Sequence, residues 1–294
     1  MATSTREAVP ELGPRWSLTR GIAPLRGRER LVLVLGLALL AMIVLLAVLA
    51  PVLSPADPTR QNFTAVLRPP SADHPFGTDQ FGRDVLSRVL HAARIDLFIA
   101  FVLVGAALVV GTVLGMLSGW FGGWFDAILT RVVDVALAFP FLVLVICIVA
   151  VRGPGLSSLF VAVSLVAWVF YARLTRAEVV VARRLNYMRA AEASGFGRIR
   201  IFTRHLLPNV IVQPLLYASS DLVYALLLGA SVSFLGLGVQ PPTPEWGQMV
   251  FQGKTFITNQ WWLSFFPGLA IVVTGLAFSL IGDGLADRTR RGAA

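Results

Sequence analysis

The feature that most constrains this chain is a run of 23 residues without a charge, Leu31 to Leu53. At ~1.5 Å per residue a helix of that length reaches ~34 Å, enough to cross a ~30 Å hydrocarbon core. Five further apolar stretches follow. One lies between Asp96 and Asp126. Another lies between Asp134 and Arg152 and starts near Ile128. The rest run from Gly153 to Ala172, from about Val210 to Gly236 with one acid inside, and from Leu263 to Gly282. The spacing predicts an all-α membrane protein with six transmembrane helices. Composition agrees: 56% of residues are hydrophobic and 14% charged, against about 45–50% and about a quarter in soluble domains. A soluble fold is excluded, and so is disorder, which needs low hydrophobicity and high charge.

The first run is too long for the 7–15-residue apolar region of a cleaved leader, and 30 residues precede it, so it reads as a span. The formal charge of +9 comes from Arg placed between apolar runs, a pattern that argues against nucleic acid. The single cysteine, Cys147, leaves no disulfide or cysteine-based metal site within the chain. With the N-terminus inside, segments 1–30, 173–207 and 283–294 hold 17 Arg, against 6 Lys and Arg in the outer segments 54–93, 151–157 and 237–262. The positive-inside rule therefore predicts that both termini are cytoplasmic. Trp120 and Trp124 then fall at the inner interface, and Trp246, Trp261 and Trp262 at or near the outer one.

Three stretches outside the spans carry information. In the outer segment, His74-Pro75-Phe76-Gly77-Thr78-Asp79 precedes Gly82-Arg83-Asp84. Thr78 or Asp79 is expected to cap a helix starting near Arg83. The acids there lack the spacing of a calcium loop. In the inner segment, the Ala-rich stretch around Arg189-Ala190-Ala191-Glu192 predicts a short helix. Gly195 is placed to end it with positive φ, and Pro208 suits the first turn of span five. An exposed helix with small side chains fits another protein's groove, and equally fits a basic helix on anionic headgroups. The third stretch is the outer loop from Gly236 to Gly247, stiffened by Pro241, Pro242 and Pro244 and carrying Trp246 as an exposed aromatic. Within the spans, Arg131 and Asp134 are expected to pair, three residues apart. Pro140, Pro214 and Pro267 are expected as static kinks.

With these motifs in place, the chain resembles the C-type permease subunit of the dipeptide/oligopeptide/nickel ABC importer family, over about residues 30 to 287. The resemblance rests on the outer motif above, on Gly119-Trp120-Phe121-Gly122-Gly123-Trp124-Phe125-Asp126, on Ser233 to Pro242, and on Gly282-Asp283-Gly284-Leu285. It rests also on the inner segment, where Ala190, Ala191, Gly195, Leu207 and Pro208 keep the spacing of the family's coupling loop. The resemblance implies a type I ABC importer permease fold in the bacterial inner membrane, multi-pass. The chain divides into a cytoplasmic tail 1–30, a first helix plus extracytoplasmic segment 31–93, a core 94–287 with the coupling loop 173–207, and a cytoplasmic tail 288–294. The resemblance makes Arg189, Ala190, Ala191, Glu192, Gly195, Leu207 and Pro208 the ATPase-coupling residues. It makes Gly77, Asp79, Arg83, Asp84, Gln240, Pro241 and Trp246 candidates to face a binding protein.

Two departures stand out. Arg189 takes the place of the family's usual acid, and Glu192 stands where the peptide group usually has Arg, so the charges exchange within one helical turn and an i, i+3 pair is still possible. In span five Gly229 replaces a frequent Glu, and an acid stands instead at Asp221, near mid-span. An ionisable residue at that depth usually faces a bundle interior or wet cavity. It is expected either to bond Ser219, Ser220 or a neighbouring helix, or to line the substrate path and favour cationic solutes.

No internal duplication is visible and no G-x-x-x-x-G-K-[ST] loop occurs. The other half of a path and the energy source are therefore expected on other chains. The resemblance implies that these are a homologous second permease subunit and two cytosolic ABC ATPase subunits that bind ATP and Mg, joined by an extracytoplasmic solute-binding protein, all around the lipid bilayer. This chain is expected to bind no cofactor or metal and to catalyse nothing. The cargo implied is a peptide, with opines, nickel chelates or other non-peptide solutes as the alternative. A membrane hydrolase fits less well, because His74, His91 and His205 lie outside or at the edge of spans. A channel fits less well because no charged ring or filter-like repeat is present.

Overall fold

The computed structural model describes residues 27–291. Residues 1–26 and 292–294, and with them most of the two expected tails, lie outside the described residues. The described chain is helical, with one isolated antiparallel bridge between Thr78 and Asp84. Five helical stretches are long and apolar enough to cross a membrane. These are α1 (Arg28–Leu53), α2 (Val85–Phe121), α5 (Leu156–Ala182), the continuous stretch Arg198–Phe234, and α11 (Trp262–Arg291). A sixth span exists only if α3 (Gly123–Leu137) and α4 (Phe141–Arg152), bent by 86°, are counted as one.

That bend corrects the expectation for Pro140. Proline disfavours helical backbone at the residue before it and cannot donate an N–H, so the helix stops at Leu137 and restarts at Phe141, with Pro140 as its N-cap. At ~1.5 Å per residue, α3 and α4 reach only ~22 and ~18 Å, so neither alone crosses the core. Pro214 and Pro267 remain inside continuous helices, as does Pro51.

The other spans run longer than their apolar runs. α2 has 37 residues, ~55 Å at the helical rise. Its N-cap is Asp84, whose Oδ1 accepts from Ser87 N at 2.8 Å, rather than the expected Thr78 or Asp79. α5 continues to Ala182, ten residues past the expected end of its apolar run. Before span five the short α6 (Asn186–Ala193) is followed by α7 (Arg198–Arg200), a π-helical turn Ile201–Leu206, α8 (Leu207–Val210) and α9 (Val212–Phe234). After α9, the short α10 (Trp246–Gly253) precedes α11.

Helices in lipid associate by close packing, not by hydrophobic exclusion, so small residues mark their contacts. Gly111, Gly115 and Gly119, four residues apart, form one stripe on α2. A Cβ added there would stand 2.3 Å from Trp168 O, 2.4 Å from Ala172 O and 2.7 Å from Val179 Cβ, so α2 and α5 touch backbone to backbone. Gly36 against Ile281 and Gly284 against Leu33 bring α1 and α11 together in the same way. α9 packs beside both α2 and α11.

Candidate functional sites

Between the spans α5 and Arg198–Phe234, α6 is short, eight residues, and two-faced. Met188 and Ala191, three apart, are buried, whereas Arg189, Ala190 and Glu192 are exposed. The buried face packs on Ile201, Leu206 and Val210, and through them on Met116 of α2 and Val179 and Ala182 of α5. Gly195 has φ 76°. Its N–H donates to Glu192 O at 3.0 Å and the Phe196 N–H to Ala191 O at 3.3 Å. These two bonds make the glycine-terminated helix stop that the sequence predicts. Leu207 packs against the same cluster, and Pro208 is exposed. Pro208 stands in the first turn of α8, within a helical stretch that is continuous from Arg198 and widens into the π turn just before it, with Leu207 N–H donating to Phe202 O. Proline has no N–H for a regular helical bond. One residue on, the Asn209 side chain donates to His205 O at 2.6 Å.

Arg189 and Glu192 form no ion pair. The order base-then-acid along a helix is the weaker orientation, and exposed pairs bring little energy. Arg131 and Asp134 do not pair either. The ion pair at this end joins α3 to α5: Arg176 grips Asp126 with both Nε and Nη2, the latter at 2.6 Å, and Ser118 also donates to that carboxylate. Arg183 donates to Gly119 O and Trp120 O at 3.1 and 3.0 Å and lies over the Trp120 ring.

At mid-span, Asp221 lines a cavity of about 350 Å³ between α2, α5 and α9. Its hydrogen bond comes from neither serine: Tyr171, fully buried on α5, donates to Oδ2 at 2.7 Å. Ser219 donates to Leu216 O instead. The cavity wall includes Tyr217, Tyr224, Phe170 and Phe141, the last delivered by the bend at Pro140.

The segment before α2 folds into a compact knot. Asp79 accepts from Phe81 N, Arg83 N and, at 2.6 Å, Arg83 Nε. Arg83 reaches on to Gln252 Oε1 at 3.2 Å. Arg88, 1% exposed, donates to Pro58 O and Pro242 O and stands 3.7 Å from Asp79. His74 Nδ1 lies 2.9 Å from Asp84 Oδ2. Gly77 has φ 75°, and an added Cβ would meet Arg68 O and the Trp262 indole at 2.7 Å.

The residues expected to face a partner therefore divide. Gln240 and Pro241 are exposed, whereas Gly77, Asp79, Arg83, Asp84 and Trp246 are buried within the chain. Trp246 corrects the expectation of an exposed aromatic, since it is 2% exposed and its indole donates to Val89 O at 3.1 Å. Beside it lies a group the sequence reading passed over. Glu245 caps α10, accepting from Gly247 N and Gln248 N at 2.8 and 2.7 Å. It is also hydrogen-bonded to Asp96, which accepts from Trp246 N at 3.1 Å. Burial pushes the Glu245 carboxyl above the usual carboxylate range. Asp57, by contrast, is exposed, and the hydrogen bonds from Thr59 lower its value.

The chain is similar to known proteins over most of its length. The family described as binding-protein-dependent transport system inner membrane component matches residues 111–292. The N-terminal TM domain of oligopeptide transport permease C matches residues 30–70. A di/tripeptide transport system permease protein of Pseudomonas aeruginosa is 40% identical over 258 residues, 86% of this chain and 85% of that protein. A dipeptide transport system permease protein of Alkalihalophilus pseudofirmus is 38% identical over 254 residues, 86% of this chain and 84% of the other. A dipeptide transport system permease protein of Haemophilus influenzae is 38% identical over 259 residues, covering 86% and 88%.

Proposed function

The chain belongs to the family of binding-protein-dependent transport system inner membrane components and is a permease subunit of an ABC importer; on that premise we propose that it forms half of a path for peptides and is driven through α6. The observation that carries this is the two-faced construction of α6. One face is free, with Arg189, Ala190 and Glu192 exposed. The other is bolted through Met188 and Ala191 to the inner ends of α2 and α5. A push on α6 therefore moves spans rather than a loop, because close-packed interiors transmit displacement.

In this reading two ATPase subunits, which bind ATP and Mg, grip α6 and its counterpart on a homologous second permease. Hydrolysis belongs to them and not to this chain. The excess of Arg on the α6 side supports a cytoplasmic position for that side and for both termini in a bacterial cell, with α3 and α4 sharing the passage of one of six spans in the inner membrane. A solute-binding protein meets the opposite side, at Gln240, Pro241 and the surface of the knot. Asp79, Arg83, Asp84, Gly77 and Trp246 give that surface its shape from beneath.

The test is a cross-link. In a Cys147→Ser background, Ala190→Cys in the assembled complex should join an ATPase subunit through a short bifunctional maleimide, and the linked complex should lose ATP-driven dipeptide uptake in proteoliposomes. Cross-linking to a binding protein, or none to an ATPase, overturns the reading.

A further inference from the structure

Resting on that permease reading, we propose that the cavity at Asp221 is a recognition point for a protonated amine on the cargo, such as the free amino end of a peptide. The argument begins with a charge that lacks its partner. A carboxyl at mid-span is costly unless it faces water or finds a counter-ion. Asp221 finds a hydroxyl, Tyr171, on one oxygen. Among the described residues no Lys, Arg or His lines its cavity, and none forms an ion pair with it. Tyr171 is itself immobilised, fully buried and edge-on to the Tyr217 ring at 5.0 Å between centroids. The carboxylate is thus held in one orientation with no cation supplied by the chain.

The walls have matching chemistry. Phe141 packs against Phe170 and Tyr224 at 5.7 and 5.9 Å, and Tyr217 adjoins on the Asp221 side. Aromatic faces attract ammonium groups through their quadrupole, the more so out of water. One carboxylate surrounded by rings is therefore selective for a compact cation over an anion or a neutral amide. A volume of about 350 Å³ lies within the range of small-ligand pockets, roughly 300–1,000 Å³. Phe141 enters this wall only because the third span breaks at Pro140, so the bend and the acid belong to one site.

The experiment uses the whole complex in lipid nanodiscs, with Cys147→Ser and Ser220→Cys, since Ser220 lines the cavity. The rate of maleimide labelling at position 220 is read with and without L-Ala-L-Ala, or with N-acetyl-L-Ala-L-Ala. The free dipeptide should slow labelling, and the acetylated one should protect about tenfold more weakly or worse, as loss of a charge-assisted hydrogen bond implies. Adding Asp221→Asn should abolish the difference, and Asp221→Glu should restore part of it. Equal protection by both dipeptides, no protection by either, or a difference that survives Asp221→Asn overturns the proposal. ATP-driven uptake by the unaltered complex is measured alongside. Its absence would overturn the importer reading, whereas intact uptake with no amine-dependent protection would overturn only the amine site.

Discussion

Asp96 on α2 and Glu245 at the head of α10 meet carboxyl to carboxyl, the first 2% and the second 0% exposed. Such a contact needs one proton between the two groups. Glu245 also receives two backbone N–H bonds, one on each oxygen. The pair joins the loop before α10 to α2 at the residue that precedes Trp246.

This pair should give the protein a measurable pH dependence. Burial raises Glu245 above its ordinary value of 4.5, so the folded chain holds a proton that the unfolded chain releases. The corresponding stability is fully present below the ordinary value and is lost as pH rises through the raised one. Glu245→Gln removes the Glu245 share of that titration. Thermal unfolding in detergent, followed from about pH 5 to about pH 8, should give a flatter curve for the variant than for the wild type. Parallel curves would refute the assignment.

The glycine stripe of α2 gives a sharper structural test. At Gly111 and Gly115 the atoms in the way are backbone carbonyl oxygens of α5, which cannot rotate aside. Gly115→Val should cost about 1–3 kcal/mol or more through overpacking, seen as a lower unfolding temperature. Gly105, on the same helix, has nothing within 4 Å of an added Cβ. There Gly→Ala should be neutral or stabilising by about 0.5–1 kcal/mol. Comparable losses at the two positions would mean that α2 and α5 are not in the contact described.

Much of this architecture could be read from the sequence because charge-free runs and glycine stops act locally. The spans, the α6 helix and its end at Gly195 are of that kind. What was not legible depends on geometry between distant segments. Pro140 read as a static kink within one span, whereas the 86° bend depends on the packing of α4 on α5. Asp96 read as the edge of an apolar run, because nothing near it in sequence reveals Glu245. The outer acids and arginines read as surface, since a buried ion network and an exposed charged loop have the same composition. The Gly111, Gly115, Gly119 spacing was a usable signal that would have located the α2–α5 contact.

The knot before α2 should fail cooperatively. Asp79 supports Phe81, Arg83 and Arg88 at once, and both arginines are 1% exposed. Removing the acid leaves two buried guanidinium groups short of their partner, a loss of the order of 3–5 kcal/mol. Asp79→Ala should therefore expose the 54–84 segment to trypsin added outside spheroplasts, while the wild type resists. Persistent resistance in the variant would show that the knot is held by other contacts.

Gly195 separates conformation from space. Its φ of 76° is left-handed, yet nothing lies within 4 Å of an added Cβ. A substitution there meets no clash, so any effect must come from the backbone. A residue with a Cβ loses roughly 1–2 kcal/mol in that conformation, and Asn loses less. The helix stop holds Met188 and Ala191 on the π turn, and loosening it should uncouple the exposed face of α6 from α2 and α5. Gly195→Val should lower ATP-driven uptake more than Gly195→Asn, with the subunits still co-purifying in both. The comparison is made at matched complex concentration, reading ATP hydrolysis and uptake together. A falling ratio of uptake to hydrolysis marks lost coupling, whereas an equal fall in both would point to a damaged ATPase contact instead.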